Sequence, residues 1–124
     1  MSCRAVRCRV GALFTAAFFG VIFPAAAACT VDDIQITRWT WERDRGWTTV
    51  GGELVNRCAE PTGIQLQLTF RDEAGRIVTV DDSWLASQRD IPAGATYSFE
   101  LRLRANATAR SATIRVTDIR RWGR

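Results

Sequence analysis

The chain has no histidine and no lysine, so every basic side chain among its 124 residues is arginine. These absences remove whole classes of chemistry. A Ser-His-Asp or Cys-His arrangement cannot be assembled, and no lysine is present to form a Schiff base. Zinc sites draw on histidine or free cysteine, and histidine is missing. No stretch keeps a 3.6-residue apolar period, so no glycine-rich loop opens a helix to cradle phosphate. Carboxylates are what remains for catalysis.

The tight acidic pairs are Asp32-Asp33, Asp72-Glu73 and Asp81-Asp82. Adjacent residues of a strand face opposite sides, so paired acid–base work needs a partner from elsewhere in the chain. A carboxylate enzyme would bring two acids from different strands to about 5–10 Å of each other. A calcium loop would place oxygen ligands at alternate positions before a glycine, and no D-x-D-x-D-G run exists. The acids read as turn residues and strand-edge charges. No catalytic residue, metal ligand or cofactor is assigned.

The N-terminus reads as a secretory signal peptide over residues 1–28. Arg4, Arg7 and Arg9 precede an uncharged apolar run over residues 10–23, then Pro24, then small residues ending at Ala28. The run is shorter than the roughly 20 residues of a spanning helix, so the mature form is expected to have no stable membrane span. With the three signal arginines of the 17 removed, 14 arginines face 13 acids, a net charge of about +1. The basic character of the whole chain is then largely a targeting feature, and no nucleic-acid partner is expected.

Four cysteines are present, and two of them, Cys29 and Cys58, lie beyond the signal. An even pair in an exported chain reads as a disulfide. The competing reading is a lipoprotein anchored through Cys29, after Ala26-Ala27-Ala28. Localisation is read as periplasmic or secreted. Residues 29–124 form a single domain of about 96 residues, where one disulfide adds about 2–4 kcal/mol to a modest core.

That domain reads as all-β, an immunoglobulin-like antiparallel β-sandwich of about six to seven strands, with turn signals every 8–12 residues. The first strand covers about residues 34–42. Ile34 and Ile36 point to one side, Trp39 and Trp41 to the other. Either a bulge near Thr37 flips the alternation, or one pair lies outside the core. Arg43-Asp44-Arg45-Gly46 is a polar turn. The second strand runs over about 47–57 and contains Gly51-Gly52, which marks a bulge or a close backbone approach. This hairpin brings Cys29 and Cys58 together at its open end. Ile64, Leu66, Leu68 and Phe70 alternate strictly with polar residues, and Asp72 to Gly75 turns the chain. Residues 76–80 return, and Asp81-Asp82-Ser83 interrupts that strand. Residues 84–90 read as an ambiguous stretch or short edge strand. Tyr97, Phe99, Leu101 and Leu103 define another amphipathic strand, residues 112–120 the last, and residues 120–124 a short basic tail. The all-arginine basic set suggests a GC-rich bacterial genome, and on that reading the glycosylation sequon Asn106-Ala107-Thr108 is coincidental.

Gly52-x-Leu54-x-Asn56, the alternating strand ending in Asp72-x-x-Gly75, and Ile91-Pro92-x-Gly94 before Phe99 together resemble the FxLYD domain. The resemblance covers about residues 48–116. Asn56 matches the family's Asn after its second strand, and Asp72 the Asp of the naming motif. Where the name calls for Phe-x-Leu-Tyr-Asp, this chain has Leu68-Thr69-Phe70-Arg71-Asp72. The resemblance implies a bacterial or archaeal extracytoplasmic sandwich without catalytic residues, used in binding or envelope architecture.

Five tryptophans are many for such a domain. Exposed aromatics stack on sugars or anchor protein interfaces. Trp39 and Trp41, with Arg38, Arg43 and Arg45, form the candidate binding patch. The leading expectation is a non-enzymatic exported module that binds a protein or assembles in the cell envelope. The alternative is a carbohydrate-binding module using exposed tryptophans.

Overall fold

The computed structural model describes Gly20, residues 28–105 and residues 107–123. The expected signal peptide, apart from Gly20 and Ala28, lies outside the described residues, as does Asn106 of the sequon.

Among the described residues, six strands form two antiparallel sheets: β1 (Ile34–Asp44), β2 (Trp47–Asn56), β3 (Gly63–Arg71), β4 (Ile77–Trp84), β5 (Thr96–Leu103) and β6 (Ser111–Arg120). One sheet has the order β1-β2-β5 and the other β4-β3-β6. The chain changes sheet after β2, β4 and β5, which gives the sandwich its immunoglobulin-like outline. A short 3-10 turn, Val31–Asp33, precedes β1 and is absent from the sequence expectation. The Asp33 carboxylate accepts the Thr30 backbone N–H at 2.8 Å and fixes it.

The conflict in β1 is resolved by a bulge at Thr37. Ile36 pairs with Leu54 and Arg38 with Glu53, so Thr37 is the extra residue. The slip puts Trp39 and Trp41 on the same side as Ile34 and Ile36. Both tryptophans are half-buried and pack on the core. Trp41 meets Phe70 of the opposite sheet edge-on, with centroids 5.5 Å apart. Gly52 is the room Trp39 needs, because any Cβ there would overlap Trp39 and Phe99. Arg45 and Gly46, with φ of 49° and 80°, make the two-residue turn into β2.

The core is centred on β3, where Ile64, Leu66, Leu68 and Phe70 are fully buried against Val50, Leu54 and Phe99. Residues 81–83 do not interrupt β4; the strand runs unbroken to Trp84. An edge strand tolerates Asp81 facing inward, because its carboxylate reaches the open side and accepts the Ser83 hydroxyl at 2.8 Å. Residues 85–90 are not a strand. Ala86, Ser87 and Gln88 all have positive φ, and the chain turns there.

The Cys29–Cys58 disulfide is formed at the open end of the hairpin, with Cα atoms 5.4 Å apart. A structural disulfide fits an oxidising, extracytoplasmic compartment. Among the described residues, no helix is long and apolar enough to cross a membrane.

Candidate functional site

The five residues of the candidate patch do not share one surface. Arg38 faces out from the middle of β1 and pairs with Glu53 at 2.6 Å. Trp39 and Trp41 face in. Arg43 donates to the carbonyls of Ala107 and Ala109 at 2.8 and 2.5 Å, tying the hairpin tip to the β5–β6 connection, and lies 5.9 Å from the Trp41 ring. Arg45 is exposed at the turn, 4.0 Å from Asp44. The bulge is the reason: it spends the two tryptophans on packing and leaves the arginines on three different surfaces.

A different aromatic–arginine group forms on the outer face of the same sheet. Trp47 starts β2 and points away from the core. The Arg102 and Arg104 guanidinium groups lie 4.5 and 4.6 Å from its ring centroid. Among the described residues neither arginine is paired with a carboxylate. Stacked guanidinium groups keep their N–H edges free for an acceptor, and the ring holds them in place. The alternation of β5 puts Arg102 and Arg104 on its polar side, but nothing local in the sequence joins them to Trp47. Only the β2–β5 pairing, in which Thr49 meets Arg102, brings them together. Beside this group, Arg38, Thr40, Glu53, Ser98 and Glu100 line an open groove of about 330 Å³, floored by Gly51 and Gly52.

At the other end of the sandwich the polar groups are internal fastenings. Asn56 is fully buried. Its amide donates to the Ile91 carbonyl at 2.9 Å and lies 3.3 Å from those of Glu60 and Pro92. Its side-chain oxygen accepts the Cys58 N–H at 3.0 Å. The motif segments around Asn56 and Ile91-Pro92 therefore meet in one joint. The expected basic tail is also anchored. Asp90 accepts the N–H groups of Trp122 and Gly123 at 2.8 and 3.0 Å. Trp122 packs edge-on against Trp84 over Gly63, where any Cβ would overlap the indole.

Two carboxylates have lowered pKa values. The Arg76 backbone N–H holds Asp72 down, helped by the Arg76 guanidinium and the Ala74 N–H. The Trp122 N–H does the same for Asp90, helped by the Gly123 N–H and the charge of Arg121. Both favour the ionised form for structural bonds, the opposite of what a general acid needs. Cys29, Asp33 and Cys58 offer ligand atoms close together, but the two sulfurs are bonded to each other and provide no thiolate.

These features define an antiparallel β-sandwich with a fastened end and an aromatic–arginine face. No family model matches the chain, and no curated protein does. Among solved structures, it is similar to a DUF1425 family member from Shewanella sp. pv-4, with a TM-score of 0.53 and 17% sequence identity. The alignment covers 68% of this chain and 77% of that one, and the likeness is one of fold.

Proposed function

We propose that this chain is an exported, non-enzymatic β-sandwich module that binds a protein partner or assembles in the cell envelope. The observation that carries the reading is Trp47 flanked by Arg102 and Arg104 on an open sheet face. Tryptophan and arginine are the residues enriched where interfaces concentrate their binding energy. The disulfide and the signal-like N-terminus support a periplasmic or secreted location. A disulfide-bonded Cys29 has no free thiol to acylate, which weighs against the lipoprotein alternative. The FxLYD resemblance draws support from the joint between Asn56 and Ile91.

The carbohydrate-binding alternative asks for a flat row of exposed tryptophans. All five are half-buried, Trp39 and Trp41 turn inward, and Trp84 meets Trp122 at 78°, so the geometry supports it less. Cross-linking in the native envelope fraction tests the choice. Trp47→Ala and Arg104→Ala are expected to lose the cross-linked protein while melting close to wild type. Unchanged cross-linking in both variants, or selective binding to a glycan array, overturns the reading.

A further inference from the structure

Four strands lie at sheet edges: β1 and β5 in one sheet, β4 and β6 in the other. An edge strand presents unpaired N–H and C=O groups and accepts another strand unless something blocks it. Three of the four are blocked. β1 carries the bulge at Thr37. β4 has an extra residue, Val78, and turns the Asp81 carboxylate inward opposite Leu68. β6 has an extra residue, Thr117, between the partners of Gln65 and Leu66. β5 has none of these. Its eight residues pair with β2 without a register shift and include neither proline nor glycine. Among the described residues, its other side has no backbone partner.

The residues along that edge form a self-complementary series: Ser98, Phe99, Glu100, Leu101, Arg102, Leu103, Arg104. We propose that β5 is a homodimer interface, in which two copies pair antiparallel with Leu101 against Leu101 on a two-fold axis. The two sheets then join as one six-stranded sheet. On its outer side Glu100 of each copy faces Arg102 of the other, and Ser98 faces Arg104. On its inner side Phe99 faces Leu103, and the half-buried Leu101 side chains cover each other.

Charge fixes this register. Centring the pair on Arg102 sets two guanidinium groups against each other, and centring it on Glu100 sets two carboxylates together, both destabilising. A one-residue slip in either direction turns one copy over and sets Glu100 or Arg102 opposite Leu101. Within one copy, neither Glu100 nor Arg102 is in an ion pair among the described residues. Trp47 already orders Arg102 and Arg104, which lowers the entropy lost on pairing.

Sedimentation of the purified protein over a concentration series tests the interface without any envelope partner, so it stands or falls separately from the cross-linking above. Wild type is expected to show a reversible monomer–dimer equilibrium. Glu100→Arg alone, or Arg102→Glu alone, should raise the dimer Kd about tenfold or more, because two opposite-charge pairs become like-charge pairs. The double variant E100R/R102E should recover most of the loss, since both pairs return with reversed sign. Both positions are exposed, so the monomers should still fold; Glu100→Arg should melt as wild type, and Arg102→Glu slightly lower because it gives up its stacking on Trp47. Amide exchange on wild type is the second readout, with alternate β5 amides gaining protection as concentration rises. A monomer at every concentration, a dimer insensitive to the single reversals, a double variant no better than the singles, or protection confined to β1, β4 or β6 overturns the proposal.

Discussion

The two ends of this sandwich handle polar groups in opposite ways. At the end that holds Cys29 and Cys58, polar groups are turned inward: Asn56 is matched with Ile91 and Cys58, Thr62 with Ile91, and Asp90 with the backbone of Trp122 and Gly123, while among the described residues the Trp122 indole N–H is buried without a partner. At the hairpin end, Trp47 is turned outward with Arg102 and Arg104 stacked on it, and among the described residues neither arginine is paired with a carboxylate. A buried polar group left unmatched costs far more than a matched one contributes, so the first end is sensitive to substitution and suited to structure. Guanidinium groups in water cost little to leave unpaired, so the second end is free to be used for recognition.

The disulfide should give the largest effect. It closes a separation of 29 residues, and its removal through Cys29→Ser with Cys58→Ser is expected to cost about 2–4 kcal/mol. In a domain of this size that lowers Tm by about 10 °C or more. Calorimetry of the reduced wild type should show the same fall. A melting point unmoved by reduction would make the two ends equivalent and remove the contrast.

Asn56→Ala comes next. It strands the Cys58 N–H in a buried site, while the Ile91 carbonyl keeps the Thr62 N–H, at a cost of about 1–3 kcal/mol. Urea unfolding should show a lower midpoint with little change in slope. If the loss is seen while cross-linking through Trp47 persists in the folded variant, the two ends are separable in function as well as in chemistry. Loss of cross-linking in that folded variant would couple them.

The strands and the disulfide were legible in the sequence because they rest on local signals. β3 declared itself through strict alternation, and the disulfide through the symmetry of Cys29 and Cys58 about the hairpin turn. Even the Thr37 bulge was visible, as a parity conflict between the isoleucines and the tryptophans. The use of the tryptophans was not. Whether Trp39 and Trp41 lay inside depended on the choice the bulge made, and that choice needs Gly52 and Phe99 on neighbouring strands. Trp47 and Arg102 are 55 positions apart in sequence, and nothing local links them. β4 was cut short because Asp81-Asp82-Ser83 looks like a turn. At a sheet edge the same residues remain a strand, since the Asp81 carboxylate still reaches water.

Acid provides the mildest probe of the fastened end. Asp90 ionises more readily in the folded chain than its ordinary value of 3.8, because the Trp122 and Gly123 N–H groups favour the carboxylate. A lowered folded pKa contributes stability that is fully present above 3.8 and is lost as pH falls through the lower folded value. The tail should therefore stay docked down to about pH 4 and detach below it, with Trp122 leaving Trp84 before the core opens. Tryptophan fluorescence should report this as a small early transition ahead of the loss of sheet circular dichroism. Asp72 is also held below its ordinary value, by the Arg76 backbone N–H, so the signal must be assigned. Asp90→Asn keeps an acceptor for one N–H but cannot ionise, and its fluorescence should lack the early step while the later unfolding remains. An identical acid profile in wild type and Asp90→Asn would show that the tail is held by the packing of Trp122 over Gly63 alone, and that the charge of Asp90 adds nothing to it.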